Sequence, residues 1–294
     1  MSLKLAIIGF GEVASIFSHP LVESGAELAV YDVLLKEKDG EDTLRQRAGS
    51  TQIRFCSMSE AVDGAVYVIS TVTTQKAREV ARDCAALLKP GQAYVDLNST
   101  APSVKVEMDQ TIRGSGADFV EGAILGAVGA TGVKTHILTC GKRGREVAER
   151  LTALGLNVSF YHPDIGKAST FKMLRSIFSK GLEAIILELL ISGKRAGIHQ
   201  DLWRDISTFM TENPFEKVAS NWVRTHATAF ERRYFEMVQV RETLQEIGME
   251  PVMTSGTEAF FKRSTSLGLG EAFSKKPDSM DAVIDFMEKR LGAT

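Results

Sequence analysis

Residues 3–14 read Leu3-Lys4-Leu5-Ala6-Ile7-Ile8-Gly9-Phe10-Gly11-Glu12-Val13-Ala14, a short apolar run that passes directly into a glycine-rich turn. The run predicts a buried strand, and the residues after the turn predict a helix. In that context the GxGxxA spacing has a mechanism. Gly9 permits the tight turn, Gly11 lets a pyrophosphate approach the backbone, and Ala14 lets the helix pack closely on the sheet. Free N–H groups and the positive end of the helix dipole then face the phosphates. Gly9, Phe10, Gly11, Glu12, Val13 and Ala14 are therefore candidate cofactor-binding positions. The next apolar run, 28–31, ends at Asp32, 18 residues beyond Ala14. A carboxylate there accepts hydrogen bonds from an adenosine ribose and repels a 2′-phosphate, which favours NAD over NADP. Val33-Leu34-Leu35 follows, with no Arg directly after Asp32 to receive that phosphate.

Outward from this turn, apolar runs at 3–8, 28–31, 66–70, 93–97, 119–124, 136–140 and 158–161 alternate with helical stretches such as 76–88 and 143–154. Such alternation predicts βαβ units and a mostly parallel sheet. Thr71 and Val72, just past the run at 66–70, join the candidate cofactor-binding residues. After Asp164 the strand signal stops. Residues 168–196 read as one long helix, with Phe171, Leu174, Phe178, Leu182, Ile185 and Leu189 recurring at three- and four-residue steps. Helical segments follow at 202–212, 214–226, 229–247, 255–267 and 279–290. The expected architecture is an α/β chain: a doubly wound Rossmann sheet over 1–165, then an all-α domain over 166–294 that starts with the long helix. Pro20 falls inside the first helix and is expected to kink it.

The 294 residues suit two domains, and 44% hydrophobic with 24% charged residues is an ordinary globular composition. Thirty-five Lys plus Arg against 37 Asp plus Glu leave a formal charge of -2, with no basic excess for nucleic acid or an anionic membrane. No apolar run approaches the ~20 residues of a membrane span; the nearest, 182–191, is broken by Glu183 and Glu188. Cys56, Cys84 and Cys140 show no CxxC spacing, and the five His show no metal-ligand spacing, so neither a disulfide framework nor a metal site is expected. With no signal-peptide pattern at the start, the expected compartment is the cytoplasm.

A Rossmann opening followed by a helical half resembles the β-hydroxyacid dehydrogenase superfamily, which includes 3-hydroxyisobutyrate and 6-phosphogluconate dehydrogenases. Four segments carry the resemblance: 9–14; Asp96-Leu97-Asn98-Ser99-Thr100-Ala101-Pro102; Glu121-Gly122-Ala123-Ile124-Leu125-Gly126; and Gly166-Lys167-Ala168-Ser169-Thr170-Phe171-Lys172. The helical half looks most like the phosphogluconate dehydrogenase-like, NAD-binding branch. By this resemblance Ser99 binds a substrate carboxylate and Thr100 lies beside the nicotinamide. The pair also reads as a cap for the following helix, and the two readings are compatible because capping uses one hydroxyl. Gly126 would offer its backbone to substrate, although Leu125 and Ala127 replace the family's Ser and second Gly. Lys172 takes the place of the family's acid/base lysine. Ser176 replaces a family Asn on the same helical face, and Ser179 stands where decarboxylating relatives carry a Glu. Arg233, with Arg232 as the weaker candidate, lies on a helix where relatives place a cation near the substrate.

The resemblance implies an NAD-dependent dehydrogenase of a small 3-hydroxy acid (hydroxyisobutyrate-, phosphogluconate- or aldonate-like) that works as a homodimer. Two alternatives stand beside it. An imine reductase would share the fold, but those relatives usually carry Asp or Tyr in place of the Lys. A non-catalytic NAD-binding sensor would not need Lys172 and Ser99 together.

Overall fold

Alternate residues of the first strand face opposite ways, and both ways are buried. Leu5 and Ile7 join Phe10, Phe17, Leu21, Val147 and Leu151 on one side of the sheet, while Ala6 and Ile8 join Val68, Tyr94, Met108 and Phe119 on the other. Helices on both faces explain why the strands read as continuous apolar runs. The computed structural model describes residues 2–292. Its strands are β1 (Lys4–Ile8), β2 (Glu27–Tyr31), β3 (Arg54–Phe55), β4 (Tyr67–Ser70), β5 (Ala93–Asp96), β6 (Asp118–Ile124), β7 (Ile137–Cys140) and β8 (Val158–His162). They form one sheet in the order β3-β2-β1-β4-β5-β6-β7-β8. All neighbours are parallel except β6 and β7, which pair antiparallel with Gly122 opposite Thr139. The chain steps outward from β1 to β3 and then returns to β4. That reversal opens a crevice beyond the ends of β1 and β4, the usual ligand position in doubly wound sheets.

The helices between the strands are α1 (Glu12–Glu23), α2 (Gly40–Ala48), α3 (Met58–Val62), α4 (Ala77–Ala85), α5 (Pro102–Arg113), α6 (Val128–Thr131) and α7 (Gly144–Ala153). The long helix α8 (Lys167–Arg195) leads into α9 (His199–Glu212), α10 (Phe215–Glu246), α11 (Val252–Ser264), α12 (Leu269–Ala272) and α13 (Met280–Leu291). None of these is long and apolar enough to cross a membrane. The chain forms two compact units, residues 1–177 and 178–294. The division falls inside α8 rather than at 165, where the strand signal ends. Its first turns belong with the sheet: Ala168 is buried with Ala123, Leu138 and Cys140, and the Phe171 ring meets Tyr161 edge-on at 5.4 Å.

One local expectation is corrected, and the structure adds two features on which the sequence analysis made no statement. The stretches 214–226 and 229–247 are one helix, α10, since Ala227 and Thr228 do nothing to break it. β3 has only two residues, too few to leave a periodic signal. Along α8, Leu174, Phe178, Leu182 and Ile185 recur as a core-facing stripe would, yet each is exposed on the single chain, and Ile177 is 71% exposed. As for Pro20, hydrogen bonding continues past it, with Ser24 N–H donating to the Pro20 carbonyl at 3.0 Å.

Candidate active site

The glycine turn is built for close approach on both sides. Gly9 has φ +89°, and a Cβ there would lie 2.7 Å from Val72 Cγ1 and 3.0 Å from the Thr71 carbonyl oxygen. Thr71 Oγ1 also donates to the Gly9 carbonyl at 2.7 Å, locking the turn against the end of β4. Gly11 faces open space and caps α1 without any side-chain hydrogen bond. The first-turn N–H groups of α1 are thus left for an anion. Phe10 plays another part than expected. Its ring is buried, edge-on to Phe55 at 5.4 Å, and its N–H is not free, because it donates to Asp32 Oδ2 at 2.7 Å. Asp32 Oδ1 accepts from Leu34 N–H at 2.9 Å. Asp32 therefore braces the turn, and each of its oxygens keeps a further lone pair for a ribose hydroxyl. Ala14, in the first turn of α1, is buried, as close helix–sheet packing requires.

Beyond the strand ends lies a cleft of about 470 Å³. Glu12 and Val13 of α1, Thr71 and Val72 after β4, Asn98 and Ser99 after β5, Gly126 after β6, and Lys172 of α8 all line it. There the Lys172 ammonium donates to Ser99 Oγ. Two residues 73 apart in sequence meet because α8 starts beside β6 while Ser99 follows β5, its parallel neighbour. Helix α5 begins at Pro102 with Ala101 as its cap and no side-chain cap bond, so neither Ser99 nor Thr100 is used in capping. Thr100 is buried at 4% exposure and does not line the cleft; its Oγ1, like Asn98 Oδ1, finds no partner among the described residues.

Burial holds the Lys172 amine below the ordinary lysine range, and the nearby Lys105 ammonium adds to the effect. Both causes disfavour the charged form. Lys105 is fully buried and paired with Asp96. Burial in turn pushes the Asp96 carboxyl up, against the pull of Lys105.

The helix that carries Lys172 is held by Glu121. Its carboxylate, buried in β6, accepts from Gly166 N–H at 2.5 Å and from Ser169 N–H at 2.6 Å. A charged acceptor at a helix N-terminus satisfies orphan donors and complements the dipole. The sequence reading gave neither Glu121 nor Lys105 a role. Signals for both were present: Glu121 is an acid inside the apolar run at 119–124, and Lys105 shares three- and four-residue steps with Met108 and Ile112.

Two other candidates lie outside this cleft. Ser176 is exposed, and its Oγ donates to the Lys172 carbonyl at 3.0 Å, which leaves its acceptor lone pairs for another group. Arg233 belongs to the second unit, donating to the Trp222 carbonyl at 3.2 Å and to Thr225 Oγ1 at 2.7 Å. It lines an apolar cavity of about 330 Å³ with Trp222, His226, Phe260 and Phe261.

Compared with protein families, residues 4–161, more than half of the chain, match the NAD binding domain of 6-phosphogluconate dehydrogenase. The chain belongs to that family. Residues 194–264 match a domain of unknown function (DUF1932). With this membership the protein is an NAD(P)-dependent, 3-hydroxyacid dehydrogenase-like oxidoreductase of the β-hydroxyacid dehydrogenase superfamily. Glyoxylate/succinic semialdehyde reductase 1 of Arabidopsis thaliana is 24% identical to the family member described here, covering 92% of this chain and 95% of its own. A conserved hypothetical protein from Sinorhizobium meliloti is 29% identical, with a TM-score of 0.63, covering 99% of this chain and 97% of its own. An imine reductase from Myxococcus stipitatus in complex with NADP+ shares the fold at 18% identity, with a TM-score of 0.72 and coverage of 97% and 99%.

Proposed function

We propose that the protein is an NAD-dependent oxidoreductase that moves a hydride between the nicotinamide and a small 3-hydroxy acid (hydroxyisobutyrate-, phosphogluconate- or aldonate-like), with Lys172 as general acid/base. The observation that carries this reading is the Lys172–Ser99 pair in the cleft beside the glycine turn. Gly9, Gly11, Glu12, Val13, Asp32, Thr71 and Val72 would hold the dinucleotide, with Thr100 behind the nicotinamide end. The bound cofactor supplies the hydride chemistry, and orientation and proton transfer fall to the chain. The Ser99 hydroxyl and nearby N–H groups, Gly126 among them, hold the substrate carboxylate, and the Lys172 amine takes the proton of the alcohol. Ser176 and Arg233 stay candidate substrate contacts. The Arabidopsis relative supports only the coarser class, a small acid whose alcohol and carbonyl forms interconvert, since its name gives it acids that carry an aldehyde.

An imine reductase is the second enzymatic reading, favoured by the shared fold. The lysine at 172 argues for an alcohol, because relatives of that branch usually place Asp or Tyr there. Turnover separates the two. With NAD and a panel of 3-hydroxy and aldonic acids, the proposal expects reduced cofactor to accumulate, whereas cyclic imines with either NADH or NADPH should give no oxidation. The reverse pattern would replace this reading with the other.

Cofactor choice follows Asp32. NAD(H) is expected to bind at least ~10-fold tighter than NADP(H), about 1.4 kcal/mol, from charge repulsion and a lost ribose hydrogen bond. Titration of both cofactors checks this, and equal or reversed dissociation constants contradict it.

We also propose that the working unit is a homodimer joined along α8, whose exposed Leu174, Ile177, Phe178 and Ile185 one chain leaves uncovered. An apolar stripe that a single chain leaves exposed calls for cover by another surface. Light scattering should give twice the 32.1 kDa chain mass. Ile177→Glu should yield monomer, and a monomeric wild-type protein would refute the arrangement.

A further inference from the structure

The Lys172–Ser99 pair stands on a loop held from below by a second lysine. Lys105, in the first turn of α5, has no exposed surface. Its ammonium donates to the Asp96 carboxylate, to the Asp96 carbonyl at 3.1 Å and to the Asn98 carbonyl at 2.8 Å. Three N–H donors meet three acceptors, which is the full capacity of an ammonium. The two carbonyls belong to the last residue of β5 and to the residue just before Ser99. Asn98 extends the brace to β4, its side-chain amide donating to Ser70 Oγ at 2.9 Å and to the Asp96 carboxylate.

We propose that Lys105 is the positioning residue of the Lys172–Ser99 pair: it fixes the loop that presents the Ser99 hydroxyl and sets a buried positive charge beneath the cleft. A buried ion pair is seldom more stabilising than apolar residues of the same volume, so stability alone does not account for a lysine here. Its neighbours give it a second use. The charged groups around Lys172 are Asp96 and Lys105 beneath the loop, Glu121 at the foot of α8, Glu12 across the cleft, and Lys167 and Arg175 on α8 itself. Of these, the charge that reaches Lys172 and disfavours its ammonium is that of Lys105. One side chain thus aligns the acceptor of the pair and weakens the hold of its partner on a proton.

The proposal rests on Lys172 being the acid/base residue, but its test uses no substrate, so a Lys172 idle in turnover would leave the result standing. Trinitrobenzenesulfonate labels only unprotonated amines, and peptide mapping follows Lys172 across pH. Lys105→Met alone leaves Asp96 buried without its cation, so Asp96→Asn/Lys105→Met, which removes the pair together, is the main arm. In that variant the Lys172 labelling midpoint should rise by about 0.3–1 pH unit, slowing labelling below the midpoint about 2- to 10-fold, with the exposed Lys262 unchanged. An unchanged midpoint in the folded variant overturns the proposal. Should the variant fail to fold, the wild-type protein decides: ¹⁵N-lysine spectra at neutral pH should show a slowly exchanging Lys105 ammonium signal. A Lys105 ammonium that exchanges as fast as exposed lysines also overturns it.

Discussion

Lys172→Met is expected to lower kcat by at least ~10²-fold while leaving cofactor affinity nearly unchanged, the low end of what general acid/base catalysis contributes. Oxidising an alcohol removes a hydride and a proton together, and the hydroxyl is far too weak an acid to lose its proton unaided at neutral pH. The amine at 172 is within hydrogen-bond reach of the Ser99 hydroxyl, at the place where a carboxylate-bearing substrate would sit. Met keeps the length and packing of the side chain, so the loss reports on the amine. Stopped-flow hydride transfer and cofactor titration on both proteins make the test. A mutant within a few-fold of wild type at saturating substrate would remove Lys172 from the mechanism.

The same residue fixes the sign of the pH dependence. Burial and the Lys105 charge hold Lys172 below the ordinary lysine range. Its neutral form is the base for oxidation, so oxidation should quicken as pH rises through that lowered pKa. Reduction draws on the protonated form and should slow over the same interval. Both limbs should vanish in Lys172→Met, which separates this group from any other titration in the cleft.

The parts of this site that the sequence made legible are those governed by local rules. Gly9 and Gly11 could be read because a turn between strand and helix constrains φ and backbone access within six residues. Ser99 and Lys172 were legible only through resemblance to a family, since no local rule brings together residues 73 apart. Three features escaped for physical reasons. Phe10 looked like part of a phosphate cradle, but a large ring after Gly9 gains more from burial against Phe55 than from exposure. The apolar repeat of α8 reads alike whether its partner is the same chain or another. Glu121 and Lys105 were hidden by the habit of reading charged residues as solvated, which fails when backbone donors or a buried carboxylate await them.

Glu121 leads to the second large effect. Glu121→Ala should destabilise the first unit by ~2–5 kcal/mol, because the buried N–H groups of Gly166 and Ser169 lose a charged acceptor and gain nothing in its place. At ~2–4 °C per kcal/mol for a body of this size, the melting temperature should fall on the order of 5–15 °C. Glu121→Gln keeps one carbonyl oxygen but turns an NH2 group toward the other donor, so its cost should be smaller, ~1–3 kcal/mol. The contrast is Glu79→Ala, which breaks an exposed pair with Lys76 on α4, a kind of contact that solvent screening leaves with little effect on stability. Differential scanning calorimetry on the four proteins compares them directly. The loss should reach the chemistry as well, because Glu121 fixes the end of α8 from which Lys172 projects one turn later. A 1 Å error in a reacting group can cost ~10²-fold in rate. Activity of Glu121→Gln measured well below its melting temperature should therefore drop, even where the protein is fully folded. If both Glu121 variants melt with Glu79→Ala, the carboxylate is not what anchors α8, and the placement of Lys172 must come from the packing of Ala168 and Phe171 alone.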